Sequence, residues 1–281
     1  MLAVSILLVF TSGFIHSIWN LYTKKSIHKQ AFLWFCQLVA TVVYFPLAVF
    51  EFSQLDAVPV SGWIYVWVSM ALHGLYILLL AMTYTVGELS QVYPIMRGIS
   101  PLLVPLVGSF VLNEHLKFVA WIGVFGIVIG ILIAGDVRPG KISFQNKKAV
   151  ILAFGVGIMI TCYTVVDKVT LKHVAPILLN EATNFGNLLA LTWAAFRSKK
   201  MKQEWAINWK TILLGGVLAP GGYILFLFAL HNMQVSQLAP MREIGTVFGT
   251  LLGIFLLKEK QGTSRFIASV LITIGIILLA Q

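Results

Sequence analysis

Apolar runs alternate with short polar breaks along the whole chain. Each run is about 17 to 23 residues long, close to the ~20 residues of helix that cross a bilayer. The runs lie at residues 2–23, 30–50, 63–83, 90–112, 117–135, 148–167, 174–196, 210–230, 236–257 and 263–280. This pattern predicts an all-α integral membrane protein with ten transmembrane helices.

The composition supports a membrane protein and leaves little room for a soluble domain. Of 281 residues, 59% are hydrophobic and 11% are charged, whereas soluble domains are about 25% charged. No stretch outside the runs exceeds about 15 residues, so we expect no ATP-binding module and no nucleic-acid reader. The first run has no basic residue before it, and the pair Lys24-Lys25 follows it, so we interpret it as a retained helix, not a signal peptide.

Catalytic and metal-binding patterns are missing from the sequence. Cys36 and Cys162 both lie in apolar runs without a CxxC pattern, so the sequence supports neither a disulfide framework nor a metal site. No HExxH, GxSxG or paired-aspartate pattern occurs, which argues against an intramembrane enzyme. We therefore predict that the protein is not an enzyme and needs no cofactor.

Two similar segments lie five runs apart, SQVYPIMRGISPLLVPLVGSFVLNE at 90–114 and SQLAPMREIGTVFGTLLGIFLLKE at 236–259. When Arg97 is aligned with Arg242, 7 of the 18 positions through Glu114 and Glu259 are identical. Further pairs at offsets of 144 to 146 extend the match along the chain: Gly13 with Gly157, Trp19 with Tyr163, Lys24 with Lys168, Trp63 with Trp209, and Gly130 with Gly275. These pairs predict two five-helix repeats, residues 1–138 and 139–281.

An odd number of spans in each repeat sets their relative orientation. The second repeat must enter the membrane from the side opposite to the first, which is an inverted-topology repeat. Such repeats are typical of carriers that alternate access to the two sides of a membrane. A duplication that merely enlarged a membrane scaffold is the simpler alternative.

The basic residues predict the orientation of the chain. The breaks after runs 1, 5, 7 and 9 carry 15 of the 20 lysines and arginines, and the opposite breaks carry only Lys117, Lys168 and Lys172. Since basic loops stay in the cytoplasm, these four breaks are expected to be cytoplasmic and both termini outside. The acidic break after run 2 and the basic break after run 7 agree with inverted repeats.

Several stretches resemble the EamA-type families of the drug/metabolite transporter superfamily. They are GELSQVYPIMRGISPLL at 87–103, NEHL at 113–116 and IWNLYTKK at 18–25. The resemblance implies ten helices, in two five-helix repeats around a central cavity. It also implies export or exchange of amino acids, sugars, nucleotide derivatives or other small metabolites. Glu243, where the first repeat has Gly98, departs from the pattern.

Two arginines inside the spans are candidate substrate contacts. A charge at the bilayer centre is costly unless it faces protein or water, so Arg97 and Arg242 could each attract a carboxylate or phosphate. The alternatives are lipid headgroups, or a nearby acid such as Glu88 or Glu243. Pro94, Pro101 and Pro105 are expected to interrupt the fourth helix beside a cavity or to kink it, through their effect on the backbone.

Polar and aromatic positions complete the predicted site. Glu181, Asn184 and Asn187 are spaced three apart, on one helical face that must look inward. A buried Glu181 could carry a coupling proton, and the alternative is a solvated Glu181 near the membrane surface. The predicted substrate-binding residues are Trp19, Asn20, Tyr76, Arg97, Tyr163, Glu181, Asn184 and Arg242.

Together these features favour a secondary transporter in the cell membrane. We expect an exporter or exchanger of a small metabolite, such as an amino acid or related organic compound. The alternative is a non-transporting integral membrane subunit or receptor. The expected partners are the lipid bilayer and a small-molecule substrate, and proton coupling stays open. A single chain contains both repeats, so a monomer or a weak homodimer would suffice.

Overall fold

A computed structural model of the chain describes residues 2–55, 57–87, 89–135, 147–257 and 263–281. Within these ranges the chain is helical and contains no strand. The first half forms α1 (Leu2–Lys25), α2 (Lys29–Ser53), α3 (Val60–Val86), α4 (Leu89–Val111) and α5 (Phe118–Ala134). The second half forms α6 (Lys147–Thr170), α7 (Pro176–Arg197), α8 (Met201–Asn232), α9 (Val235–Met241), α10 (Ile244–Leu257) and α11 (Thr263–Leu279).

Many of these helices are long and apolar enough to cross a membrane. Five meet that description by length and composition: Lys29–Ser53, Val60–Val86, Val92–Val111, Lys147–Thr170 and Met201–Asn232. Shorter apolar helices occur at Ala3–Trp19, Phe118–Ala134 and Phe266–Leu279. Large apolar side chains also cover the outside, for example Phe110, which is 83% exposed, and Trp193, which is 69% exposed. A surface of this kind is stable against lipid rather than water, so the chain is a multi-pass membrane protein.

The helices differ from the predicted spans in two places. Of the two expectations for the fourth helix, an interruption is not found, because α4 runs through Pro94, Pro101 and Pro105 as one helix; a kink at these prolines stays a prediction. The interruption lies instead in the matching segment of the second half, between α9 and α10. In addition, α8 begins at Met201 rather than 210, and it kinks at Asn208, where φ is −114° and ψ is 15°.

The break between α9 and α10 is visible in the backbone hydrogen bonds. It follows Pro240, which has no N–H to donate, and the next amides bond three residues back rather than four. The N–H of Arg242 donates to Ala239 O at 3.3 Å, and the N–H of Glu243 donates to Pro240 O at 3.0 Å. Such 3₁₀ geometry inside a longer helix often marks a functional site. Here it places two adjacent charged residues at the centre of the protein.

Most helix packing crosses between the two halves. The helix α3 packs on α6 and α7, and its counterpart α8 packs on α1 and α2. The fifth helices, α5 and α11, pack along each other. A Cβ on Gly123 would lie 2.5 Å from Gly275 O, and one on Gly130 would lie 3.0 Å from Ala268 O. The chain directions of α5 and α11 are therefore antiparallel, and glycine permits their close approach.

Carboxylates from one half bind the helix starts of the other half. Glu51, in α2, accepts a hydrogen bond from the N–H of Leu178 in α7 at 2.8 Å. Glu204, in α8, accepts from the N–H of His28, just before α2, at 2.7 Å. Glu114, after α4, accepts from the first two N–H groups of α9 at 2.9 and 2.8 Å. Each carboxylate satisfies otherwise unpaired amides and complements the helix dipole.

Candidate functional site

A cavity of about 120 Å³ lies at the centre of the bundle, between the two halves. That volume is roughly ten times the ~12 Å³ that one water molecule requires. Side chains reach it from α1, α2, α3, α4, α6, α7 and α8, and from the break between α9 and α10. The cavity is large enough for a small polar metabolite, and both halves form its wall.

The two arginines predicted from the sequence both line this cavity. Arg97 Nε lies 3.3 Å from Glu243 Oε2, with the two side chains 12% and 6% exposed. Arg242 lies instead over aromatic rings, 5.2 Å from the centre of Tyr223 and 4.6 Å from that of Phe226. Among the described residues no carboxylate forms an ion pair with Arg242. Arg97 is thus paired with Glu243, as one of the sequence alternatives held, whereas Arg242 has no ion-pair contact of its own in the described part of the chain.

Aromatic side chains form a second part of the wall. Trp19, Tyr76 and Tyr163, all predicted site residues, line the cavity. The Tyr163 ring centre lies 4.0 Å from that of His73 and 5.3 Å from that of Tyr76. Trp19 stacks on Phe32 at 5.7 Å. These rings offer flat apolar surface together with phenol hydroxyls, which suits a ligand with both apolar and polar parts.

The third part of the wall is a face of α7 rich in amides. Asn180, Asn184 and Asn187 recur at helical spacing, and all three line the cavity with Gln37 from α2. Asn187 Nδ2 donates to Gln37 Oε1 at 3.5 Å, a long contact. Asn180 Nδ2 and Asn187 Oδ1 are buried without a hydrogen-bond partner in the part of the chain that the structure describes. Buried polar atoms of this kind are rare unless a ligand or water completes them.

Two predicted site residues are not placed in the wall. Glu181 is buried but is not among the lining residues. Its Oε2 accepts from Asn184 Nδ2 at 3.5 Å, and its Oε1 has no partner among the described residues. The Glu181 side chain is thus largely enclosed by protein, whereas its depth in the membrane stays a prediction. The side chain of Asn20 lies outside the described residues, as do Glu88 and Glu259.

A buried acid next to the cavity was not predicted as part of the site. Asp167 in α6 is fully buried. It accepts hydrogen bonds from the hydroxyls of Ser69 and Tyr223, and its Oδ2 lies 3.0 Å from His73 Nε2. The sequence shows Asp167 one helical turn after Tyr163, on the same face. Its link to His73 could not be read from the sequence, because that link depends on how α3 packs against α6.

A multi-pass helical bundle around a small charged cavity has the architecture of a small-molecule transporter. The sequence comparison agrees with this class. The chain belongs to the EamA-like transporter family, which matches residues 3–135 and 147–281. It is accordingly a transporter of the drug/metabolite superfamily, and the family is not an enzyme family.

The fold also recurs among solved structures, of which 28 chains match. One crystal structure matches with a TM-score of 0.77 at 16% sequence identity, over 98% of this chain and 95% of that chain. At this level of identity the likeness concerns the fold alone. A search of the curated proteins finds no match to the chain.

Proposed function

We propose that this protein is a secondary transporter that exports or exchanges a small metabolite, such as an amino acid or related organic compound, by alternating access. One observation carries the proposal. The central cavity lies between the two halves, and each half contributes an arginine to it, Arg97 and Arg242. Charged groups are retained inside a membrane protein mainly where they meet a substrate or an ion.

Ten membrane crossings in two inverted five-helix repeats, residues 1–138 and 139–281, would give this mechanism its symmetry. In this arrangement α9 and α10 together make one crossing. The antiparallel packing of α5 against α11 supports the inversion, because these helices occupy equivalent places in the repeats. The mirrored packing of α3 and α8 supports it as well. Two such halves can exchange conformations and thereby open the cavity to either side.

The wall suggests how a substrate would be held. Arg242 is the proposed contact for a carboxylate or phosphate, because Glu243 already balances the charge of Arg97. Trp19, Tyr76 and Tyr163 would enclose the body of the substrate, and Asn184 and Asn180 would bind its polar end. Asn20 and Glu181 stay predicted contacts whose role awaits substitution.

The basic loops suggest the orientation and the compartment. With the breaks after the first, fifth, seventh and ninth crossings in the cytoplasm, both termini would lie outside the cytoplasmic membrane. The cavity is complete within one chain, so a monomer would suffice for transport.

A metabolite screen followed by reconstitution tests the proposal. Extracts and media of cells with and without the protein are compared, and labelled forms of the compounds that differ are offered to proteoliposomes. Saturable uptake by the wild-type protein, reduced in Arg242→Ala but retained in Arg197→Ala, is expected. Arg197 is a fitting control, because it lies at the end of α7 over the exposed Trp193 ring at 4.8 Å. If no compound that differs in cells enters the proteoliposomes, a non-transporting subunit or receptor is the better description.

A further inference from the structure

Asp167 is a fully buried acid in a helix that is long and apolar enough to cross a membrane. Burying a carboxylate in such a place is unfavourable unless hydrogen bonds or an opposite charge compensate it. Acids at membrane depth are therefore usually functional, and their partners indicate the function. The partners of Asp167 come from two other helices, α3 and α8.

These partners are arranged around the two carboxylate oxygens. Oδ1 accepts from the hydroxyl of Ser69 in α3. Oδ2 accepts from the hydroxyl of Tyr223 in α8 and faces Nε2 of His73 in α3 at 3.0 Å. The Tyr223 hydroxyl also lies 3.4 Å from the same imidazole nitrogen. Three groups that carry exchangeable protons thus surround one carboxylate, and two of them, the Tyr223 hydroxyl and His73 Nε2, face the same oxygen.

This cluster differs in chemistry from the other buried ion pair, Arg97 with Glu243. A guanidinium keeps its proton at any physiological pH, so that pair has no proton to give up. Imidazole is the side chain that gains and loses a proton between about pH 5 and pH 8. A proton between His73 Nε2 and Asp167 Oδ2 is held along their contact, and when it leaves, the Tyr223 hydroxyl still donates to Oδ2.

The cluster also has a route to the cavity. Asp167 itself does not line the cavity, but His73 and Tyr223 both do. A proton from cavity water can reach His73 directly, pass to Oδ2 along the hydrogen bond, and return to cavity water by the same path. Water is the only donor and acceptor that this exchange requires.

Other titratable and charged groups surround the cluster. On α6, Lys168 donates to Leu230 O and Met233 O, both at 2.7 Å, at the end of α8. The Arg242 guanidinium lies over the ring of Tyr223, which is a member of the cluster. The remaining groups line the adjoining cavity or pair within it: His16 from α1, Tyr76 and Tyr84 from α3, Tyr93 and Arg97 from α4, Tyr163 from α6, and Glu243 beside Arg97. An anion held at Arg242 would thus lie one aromatic ring away from the cluster.

We propose that His73, Asp167 and Tyr223 form the proton-binding site of this transporter, with the proton held between His73 Nε2 and Asp167 Oδ2. Its use in coupling rests on the proposed transport function, whereas the binding of the proton does not. Glu181, the acid for which the sequence left this role open, lies outside the cluster and is not among the residues that line the cavity.

Infrared difference spectra test proton binding without any substrate. Protein in proteoliposomes is titrated between about pH 5 and pH 8, and the carboxyl and imidazole bands are followed. The sequence contains three aspartates, of which Asp56 and Asp136 lie in polar breaks. In an Asp56→Asn, Asp136→Asn background, ¹³C labelling of the aspartate side chain therefore reports on Asp167 alone. A pH-dependent carboxyl band that shifts with this label is expected, together with imidazole bands that titrate in parallel.

Substitutions complete the test. Asp167→Asn and His73→Gln should remove the titrating bands, Tyr223→Phe should displace their midpoint, and Glu181→Gln should leave them unchanged. A band removed by Glu181→Gln, or a labelled carboxyl band that does not respond to pH, overturns the proposal. The label alone decides the matter if Asp167→Asn fails to fold.

Transport measurements then address coupling. With a labelled compound retained from the metabolite screen, Asp167→Asn should lose accumulation driven by a pH gradient, by tenfold or more, but keep one-for-one exchange of the compound. Wild-type transport that ignores the pH gradient overturns the coupling and leaves the transporter proposal intact. A wild-type protein that transports nothing contradicts the proposed function and leaves the infrared result standing.

Discussion

Arg97 in α4 lies 3.3 Å from Glu243 at the break between α9 and α10, so a buried ion pair joins the two halves of the protein inside its cavity. Neither charge faces lipid or bulk water, because both side chains are largely buried. In a carrier whose halves rearrange, a contact of this kind is where the two halves are coupled. Substitutions at the pair should therefore affect stability and transport in different ways.

Removing one member of the pair should be more harmful to stability than removing both. Glu243→Gln leaves a buried guanidinium without its counter-charge, which typically costs about 3–5 kcal/mol. The double variant Arg97→Met, Glu243→Leu removes both charges and should recover most of the loss. Thermal unfolding in detergent measures both. A double variant no more stable than Glu243→Gln would contradict this account.

Arg97 should matter for transport even though it is paired. Arg97→Ala should reduce uptake while the protein still reaches the membrane. The substitution removes the charged contact with Glu243 that joins the two halves at the cavity. Arg97→Lys should restore uptake only in part, since an ammonium cannot replace a planar guanidinium. Uptake per molecule of membrane-inserted protein is the measurement. Normal uptake by Arg97→Ala would remove Arg97 from the mechanism.

Arg242 should control the affinity for an anionic substrate. Charge-assisted hydrogen bonds contribute about 1.5–3 kcal/mol, so Arg242→Ala should raise KM by roughly 10- to 100-fold. The KM of Arg242→Lys should lie between those of the wild-type protein and Arg242→Ala, because lysine keeps the charge but loses the stacking on Tyr223 and Phe226. The control Arg197→Ala should match the wild-type protein. Equal KM values in Arg242→Ala and Arg197→Ala would disprove the assignment.

The amide face of α7 should determine which polar groups the substrate carries. Asn180→Leu removes a buried amide whose Nδ2 has no partner within the described residues. The protein itself should lose little stability, because no internal hydrogen bond of that atom is broken. Affinity for the transported compound should fall by about tenfold. Analogues that lack the polar end of that compound should compete less well than the compound itself. This difference should be smaller in the variant than in the wild-type protein.

The architecture could be largely inferred from the sequence. The length of a hydrophobic run can be read from one segment alone, and the duplication appears when the two halves of the sequence are compared. The placement of Trp19 and Tyr163 in one cavity also followed from their equivalent positions in the duplication. The partner of Arg97 was one of several possibilities, and only the packing of α4 against α9 settled it. The cluster around Asp167 was out of reach, because its members come from three helices whose rotation about their own axes the sequence does not define.

Helix interruption could not be decided from composition. Three prolines in α4 predicted either a break or a kink, and no break occurs, since a proline costs little where its missing N–H and its kink are accommodated by neighbouring helices. Pro94, for example, packs against Gly135, where a Cβ would come within 1.9 Å of its ring. The single Pro240 is followed by 3₁₀ bonding and does divide the helix. The outcome depended on tertiary contacts and not on the number of prolines.

The glycine contact between α5 and α11 should be intolerant of larger side chains. Gly123→Val would place its Cβ 2.5 Å from Gly275 O, a backbone atom that cannot move aside easily. Overpacking of this kind costs about 1–3 kcal/mol, so the unfolding temperature should drop. Gly126→Val is the matched control, because its nearest neighbours are 3.8 Å away. Similar losses in the two variants would show that helix propensity, and not the close contact, is responsible.

The orientation can be decided by labelling single cysteines. Gln54 and Lys200 are both exposed. Gln54 lies just after α2 and Lys200 just before α8, and the proposed topology places them on opposite sides of the membrane. In a background without Cys36 and Cys162, Gln54→Cys should react with an impermeant thiol reagent in intact cells. Lys200→Cys should react only after permeabilisation. The reverse pattern would place both termini in the cytoplasm.

The packing of α5 against α11 has a consequence for how the protein is made. The partner of α5 lies at the far end of the chain, so α5 leaves the ribosome long before that partner is synthesised. Until then the glycine-lined face of α5 contacts lipid or whatever insertion factor receives it. The native bundle can therefore close only after α11 has been synthesised, and a chain truncated before α11 should remain an open assembly that the cell's quality control can recognise.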